Sequence, residues 1–266
     1  MAVEFEAAGP IELTVVAKRA LDIAVALVAL PVGFAVCLPF AVAIWLGDRQ
    51  SPSYAGERVG KNWRPYKQLK LRTMVWGADR AGADATPADD VRVTPLGRRL
   101  RQWKIDEVPQ LLNVLRGDMS VVGPRPNLLR ECTMYSDIEK HILDVTPGVT
   151  DISSIVFADE ERILAGARDP DLAYHQLVRP WKSRFCLLYI EKRSIRLDLE
   201  LIGITALLPL SRRLALRLLQ AVLRRLGADP DLQRIARRDA PLVPHPPPGL
   251  AAFVKEIPDK DGAAAA

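Results

Sequence analysis

Apolar and polar positions change rhythm several times along this chain, and each change predicts an element. From Ile23 to Leu46 no charged residue interrupts the sequence, a run bounded by Asp22 and Asp48. A helix of about 20 apolar residues crosses the hydrocarbon of a bilayer, so the run is long enough to do so. Pro31 and Pro39 lie inside it with Gly33 between them, and each proline removes a backbone hydrogen bond and bends a helix. Cations flank both ends, Lys18 and Arg19 before the run and Arg49, Arg58, Lys61 and Arg64 after it. Because such residues stay on the cytoplasmic side, both ends belong there, which a single straight span does not satisfy. The expectation is a re-entrant helical hairpin over residues 15–50, broken at Pro31 and Pro39. It follows an N-terminal tail, residues 1–14, that lacks the basic start and cleavage site of a secretory signal.

Further on the period shortens to two. In Tyr66–Met74, Lys70 and Arg72 alternate with Leu69 and Leu71, the pattern of a strand with cations on one face. A turn is expected at Glu57–Lys61 before it, and a loop rich in Ala, Asp and Gly at 78–90 after it. Helical spacing then runs from 107 to 116, with Pro109 in the first turn and Gly117 just past the end. Helical signals return at 127–143, Thr146-Pro147-Gly148 breaks the chain, and Asp159, Glu160 and Glu161 open a short helix. Residues 171–203 read as mostly helical with a break at Pro180.

From Ser211 to Leu226 the apolar face (Leu218, Leu219, Val222, Leu223, Leu226) opposes Arg213, Arg217 and Arg224. Such a helix either lies in a membrane interface with its arginines on anionic headgroups or packs on the domain. Residues 206–238 are read as interfacial helices, and 239–266, with Pro246-Pro247-Pro248 and a terminal alanine run, as a disordered tail. The fold class is therefore α+β, predominantly helical. It comprises a membrane-associated single catalytic domain over 51–205, an N-terminal re-entrant helical hairpin and a small β element.

Composition sharpens the choice of ligand. The 266 residues are 49% hydrophobic yet carry 37 Lys and Arg against 32 Asp and Glu, a formal charge of +5 that suits an anionic lipid, a phosphorylated substrate or nucleic acid. Cys37, Cys132 and Cys186 have no disulfide or zinc spacing, and His141, His175 and His245 are scattered. The chemistry gathers elsewhere. Asp106 and Glu107 open the predicted 107–116 helix, where the dipole favours anions, and Arg98, Arg99, Arg101 and Lys104 precede them. In Gly123-Pro124-Arg125-Pro126 the prolines stiffen the chain and present Arg125 as a pre-set fork suited to phosphate. With Lys70 and Arg72, these stretches describe a polyanion site containing a nucleophile or metal ligand.

In succession, these residues resemble a known family. Lys18-Arg19 with Asp22, the proline-broken run, Glu57-Arg58-Val59-Gly60, Lys70-Leu71-Arg72-Thr73-Met74, Asp106-Glu107-Val108-Pro109-Gln110-Leu111, Asn113–Ser120 and Val122-Gly123-Pro124-Arg125-Pro126 are similar to the bacterial sugar transferases. These are the monotopic polyprenyl-phosphate phosphoglycosyl transferases, and the likeness covers about residues 15–205. It implies an enzyme on the cytoplasmic face of the bacterial inner membrane that moves a phosphosugar from a nucleotide diphosphate sugar, of the UDP class, to undecaprenyl phosphate. That reaction is a first membrane step of exopolysaccharide, lipopolysaccharide or other glycoconjugate assembly.

By the same resemblance Asp106 is the nucleophile, forming an aspartyl-phosphosugar intermediate, and Glu107 helps hold Mg²⁺. Arg101 and Arg125, bracketed by Pro124 and Pro126, grip phosphate; Lys70 and Arg72 match the cationic strand, and Asp198 matches a later aspartate near the site. The implied partners are a nucleotide sugar, polyprenyl phosphate and membrane lipid, with homodimerisation left open. Two departures stand out. The family breaks its membrane helix at a Ser-Pro step midway, whereas here the prolines lie to either side. After Pro147-Gly148-Val149-Thr150 many members continue Gly-Trp-Ala-Gln-Val, and this chain reads Asp151-Ile152-Ser153-Ser154-Ile155. The alternative is a catalytically inactive membrane scaffold for glycan assembly. Nucleic acid is not an expected partner, because the basic patches carry few interleaved aromatics and the apolar run has no purpose there.

Overall fold

The computed structural model describes residues 11–78 and 84–257. Its first element, α1 (Ile11–Asp48), is one helix containing both Pro31 and Pro39. The hairpin expected from the prolines is thus absent as an interruption of the helix. Each proline forfeits one backbone bond, whereas a break would leave several amides and carbonyls unpaired among apolar side chains. Only 11% of its most apolar 18-residue window is buried, so this is not the core helix of a globular domain. Val28 is 77% exposed and Val32, Phe34 and Leu38 are also open, while Ala26 and Cys37 are buried on the opposite face.

Both ends of α1 are fastened to the same body. Lys18 Nζ donates to Asp198 Oδ2 at 2.7 Å, and Arg19 donates to the carbonyls of Val114 and Leu115 at 2.6 and 2.8 Å. Asp22 Oδ1 accepts from Ser120 Oγ and from the Val121 amide, both at 2.9 Å. At the far end Asp48 takes a bidentate grip from Arg72, each bond 2.7 Å.

The chain then forms an antiparallel hairpin, β1 (Ser53–Val59) and β2 (Pro65–Leu71), in a register that pairs Tyr54 with Lys70 and Arg58 with Tyr66. The expected turn at 57–61 lies later: residues 57–59 finish the strand and the chain reverses over Gly60–Arg64. The predicted loop holds no regular element over its described part, and residues 79–83 lie outside the described residues. Helix α2 (Pro95–Gln102), capped by Thr94, packs Leu96 and Leu100 against Cys37, Phe40, Ala41 and Ile44 of α1. After a one-turn 3₁₀ segment at Ile105–Glu107 comes α3 (Gln110–Arg116), closed by Gly117 at φ 91°.

A parallel pair, β3 (Ser120–Val122) and β4 (Gly148–Thr150), brings distant segments together. Between them lie α4 (Leu129–Thr133) and α5 (Asp137–Lys140). The short helices α6 (Ile152–Val156), α7 (Glu160–Ile163) and α8 (Pro170–Ala173) follow. The core is completed by α9 (Arg179–Lys192) and α10 (Ile195–Leu207), with Trp181, Phe185, Tyr189, Leu197 and Leu201 buried. The break expected at Pro180 falls instead at Arg193–Ser194, because Pro180 occupies the first turn of α9, where its missing amide hydrogen is harmless.

The C-terminal part is packed on the domain over much of its length. In α11 (Arg212–Arg225) Ala215, Leu216, Leu219, Val222 and Leu223 are buried in the core, and α12 (Pro230–Arg237) packs beside it. Leu210, Leu214 and Leu218 stay exposed beside the arginines, the surface that an interfacial placement of 206–238 would use. The tail is not wholly free. Residues 241–257 form an extended strap: the His245 amide donates to Gln176 O at 3.0 Å, Arg184 to Pro246 O at 2.9 Å, and the His245 ring lies 4.3 Å from that of Trp181. Residues 258–266, like 1–10, are outside the described residues.

Candidate functional site

The acid pair sits in the one-turn segment between α2 and α3, not on the helix itself as the sequence suggested. Lys104 precedes it at φ 57°, a left-handed conformation that reverses the chain after α2 and turns Asp106 and Glu107 inward. Both are buried, at 5% and 9% exposure. From below, Val108 packs on Gly33 of α1.

Opposite stands Arg125, held by a backbone crossing that only glycine permits. A Cβ on Gly148 would lie 2.1 Å from Gly123 N, and one on Gly123 would lie 2.6 Å from Thr146 O. The Gly148 amide donates to Pro124 O at 2.8 Å, which fixes the Pro124-Arg125-Pro126 turn. From there Arg125 forks onto Glu107, Nη1 donating to Oε2 at 2.8 Å and Nη2 to Oε1, while Nη1 also donates to Val149 O at 2.9 Å. Lys70, from the cationic face of β2, and Lys104 each bring an ammonium to 4.0 Å from Glu107 Oε1.

The two carboxyls therefore differ in character. Burial pushes Glu107 up, but the charges of Arg125, Lys104 and Lys70 overcome it and hold the group well below the usual carboxylate range. Asp106 moves the other way, raised by burial and then by the Glu107 charge, with Lys70, Lys104 and Arg101 only partly opposing. Burial also pushes the Lys70 ammonium down to about 8, against the attraction of Glu107. Asp106 Oδ1 is buried with no hydrogen-bond partner, and so are both amide atoms of Gln110 one turn later.

The remaining sequence candidates divide. Arg101 flanks the pair but donates to Thr73 Oγ1 at 2.9 Å and to Glu161 Oε1 at 3.2 Å, not to either acid. Arg72 is directed elsewhere: its guanidinium is occupied by Asp48 and the Ser51 carbonyl, so it ties down the end of α1. Asp198, 1% exposed, holds Lys18 and accepts from Tyr189 Oη at 2.8 Å, anchoring the start of α1 instead of joining the acid pair. Lys104, read only as one of the cations preceding the pair, and Gln110, to which no sequence role was assigned, both lie at the site. Their signal was position alone, two residues before Asp106 and four after it.

A magnesium ion fits this donor set in part. The described residues contain no cluster of three or more His, Cys, Asp or Glu side chains able to hold a metal. Glu107, expected as a ligand, has both oxygens on Arg125 and two ammonium groups beside it. The free hard-oxygen donors are Asp106 Oδ1 and the Gln110 carbonyl, a sparse set of the kind Mg²⁺ takes when substrate phosphates complete its shell.

Comparison with known proteins gives this geometry a context. A Bacillus subtilis protein, provisionally named an undecaprenyl-phosphate N-acetylgalactosaminyl 1-phosphate transferase, is 44% identical over 109 residues, 41% of this chain and 61% of its own length. The UDP-N-acetylgalactosamine-undecaprenyl-phosphate N-acetylgalactosaminephosphotransferase of Aeromonas hydrophila is 36% identical over 158 residues, 55% of this chain and 36% of its own. The exopolysaccharide production protein ExoY of Sinorhizobium fredii is 35% identical over 155 residues, 53% of this chain and 69% of its own. The chain thus spans less than two thirds of the first two relatives. A family model described as bacterial sugar transferase matches residues 13–212, three quarters of the sequence and every residue of the acid-pair site. The chain belongs to the bacterial sugar transferase family.

Proposed function

We propose that this protein transfers a phosphosugar from a UDP-sugar to undecaprenyl phosphate, releasing UMP, as an early membrane step of polysaccharide assembly. The observation that carries the reading is the unequal acid pair. One carboxylate is fully engaged by Arg125, and its neighbour has a free oxygen in a buried cationic setting. The names of the relatives, which act on undecaprenyl phosphate or serve exopolysaccharide production, support it.

Asp106 Oδ1 attacks the phosphorus that carries the sugar, the bond from that phosphorus to the bridging oxygen breaks, and UMP leaves with the electron pair. The aspartyl phosphosugar is then attacked by a phosphate oxygen of undecaprenyl phosphate, which forms the diphosphate and returns the carboxylate. Splitting the transfer lets the two anionic substrates take turns beside one nucleophile. Lys70, Lys104 and Arg125 neutralise the phosphoryl oxygens, and Arg101 joins them by exchanging Glu161 for phosphate. Mg²⁺, held by the Gln110 carbonyl and substrate phosphates beside Asp106, would supply further charge neutralisation.

The substrate's isoprenoid tail sets the location. In α1, exposed apolar side chains form the outer face, and the inner face carries the acid-pair turn at Gly33. Both ends of α1 are tied to one body, which supports a monotopic arrangement with the domain on the cytoplasmic side of the inner membrane. The test is to incubate reconstituted protein with a panel of nucleotide sugars and undecaprenyl phosphate, then follow nucleoside monophosphate release and identify the lipid by mass spectrometry. No release from any donor would favour the inactive scaffold.

A further inference from the structure

Helix α11 begins where the family match ends, at residue 212, so its surface lies outside the part shared with the family. With 3.6 residues per turn, its exposed positions Arg213, Leu214, Arg217, Leu218, Ala221 and Arg224 fall within about 140° of arc. The strip has two edges. Arg213, Arg217 and Arg224 form one, and Leu214, Leu218 and Ala221 form the other, with Leu210, 78% exposed in the turn before the helix, at its N-terminal end. Leu219, Val222 and Leu223, the centre of the apolar face read from the sequence, are buried in the core, so the strip is a second amphipathic surface on the same helix.

The arginine edge lacks counterions. Arg212 pairs with Asp159 and Arg225 forks onto Glu200, but Arg213, Arg217 and Arg224 have no ion pair or hydrogen bond among the described residues. Like charges one turn apart repel, a cost that an anionic surface removes. The leucine edge is placed by Arg225, which lies between Leu214 and Leu218 around the helix, so that its fork onto Glu200 turns this edge toward α10. On α10, Asp198 reaches Lys18 of α1 and Glu200 reaches Arg225 of α11, and Leu199, exposed, stands between the two. Exposed apolar surface thus continues from the start of α1, across Leu199, to the leucines of α11.

We propose that the strip on α11 docks on anionic phospholipid headgroups, a second membrane contact that holds the C-terminal side of the domain against the bilayer. Leu214 and Leu218 enter the acyl boundary, and Arg213, Arg217 and Arg224 take lipid phosphates on stems long enough to stay at headgroup level. This rests on the membrane placement of α1 proposed above.

The test labels Leu214→Cys with an environment-sensitive fluorophore in the full-length protein, one copy per nanodisc, in phosphatidylcholine alone or mixed equally with phosphatidylglycerol. Cys37, Cys132 and Cys186 are buried, and unsubstituted protein treated alike gives the blank. Val28→Cys, on the outer face of α1, is labelled in parallel. In mixed discs the Leu214 probe should be quenched by a lipid-borne quencher and shielded from aqueous acrylamide. In phosphatidylcholine alone, or with Arg213→Gln, Arg217→Gln and Arg224→Gln combined, the docked-to-undocked ratio should fall on the order of a hundredfold. The Tm of the triple variant should not change, because these side chains are exposed and unpaired, and high salt should mimic it. Equal lipid quenching in both bilayers and in the triple variant, or none in either, would overturn the proposal. So would shielding from acrylamide without lipid quenching, which would put protein on the strip. A Val28 probe that lipid does not quench would instead defeat the membrane placement of α1, so the two failures stay apart.

Discussion

A Cβ added to Gly33 would lie 2.5 Å from Val108 Cγ1 and 3.9 Å from Leu111 Cδ1, so the apolar helix and the acid-pair turn meet where a larger side chain would crowd Val108. Val108 directly follows the acid pair, and the Cys37 thiol, one turn along the same face of α1, approaches Ile105 O at 3.7 Å on its other side. Gly33→Val is expected to destabilise the protein by about 1–3 kcal/mol through overpacking and to lower turnover by displacing Asp106. Val108→Ala, which removes the opposing methyl, should restore much of both in the double variant. Gly47→Ala, on the same helix with nothing near its Cβ, serves as the control. Thermal unfolding and donor kinetics on the four proteins check this, and additive effects of Gly33→Val and Val108→Ala would deny the contact.

Asp106→Asn removes the attacking anion while keeping shape and size. Turnover and trapping of a phosphosugar adduct should both vanish, with unfolding midpoint unchanged or raised, since the lost charge is buried and raised in pKa by its surroundings. Intact-protein mass spectrometry after mixing with donor alone reads the adduct. An Asn variant with near-normal activity would take Asp106 out of this role.

Glu107→Gln leaves Arg125 without its charge partner. The pair is only partly screened, Glu107 being 10% and Arg125 23% exposed at the side chain, so a loss of about 1–3 kcal/mol is expected. Denaturant unfolding measures it. Because Arg125→Lys keeps the charge but not the fork, donor KM should rise in that variant even where stability is largely retained.

Lys70 supplies a pH signature. Its ammonium is held down to about 8 by burial, against the pull of Glu107, so it gives up its proton as pH rises through that value and the site loses a positive charge. The kcat/KM for donor should fall on the alkaline side near pH 8 in the wild type. Lys70→Arg remains protonated throughout and should flatten that limb, and a profile identical to wild type would assign the alkaline ionisation elsewhere.

The topology of α1 can be read chemically. With the buried Cys37, Cys132 and Cys186 replaced, single cysteines at Val15 and Gln50, both exposed, should react with an impermeant reagent from the same side of oriented vesicles. Reaction from opposite sides would make α1 a true span.

Much of this was legible from the residues in order. The charge-free run forms one long helix and Lys70 falls in a strand, because local pattern decides such elements. What local pattern does not reach is the choice of partners far along the chain. Arg72 reads as a site cation, and the structure pairs it with Asp48, 24 residues earlier; Asp198 reads as an aspartate near the substrate, and the structure pairs it with Lys18. Helical periodicity shows that α11 has an apolar face but not whether protein or lipid covers it. Proline-rich composition argues for disorder in the tail, yet Trp181 and backbone partners on neighbouring helices give the strap somewhere to lie. The start of α3 was misjudged because the reversal at Lys104 uses a left-handed residue that is not glycine.

The clasp between Lys18 and Asp198 spans 180 positions of sequence. Synthesis proceeds from the N-terminus, so α1 leaves the ribosome long before the carboxylate that will hold its first turns has been made. Arg72 reaches Asp48 after only 24 further residues. The distal end of α1 can therefore be secured early in translation, its proximal end next through Arg19 and Asp22 on residues 114–121, and the Lys18 clasp only once α10 has emerged. Until then Lys18 is free to dwell among lipid headgroups, and the final seating of this helix waits for residue 198 to be made.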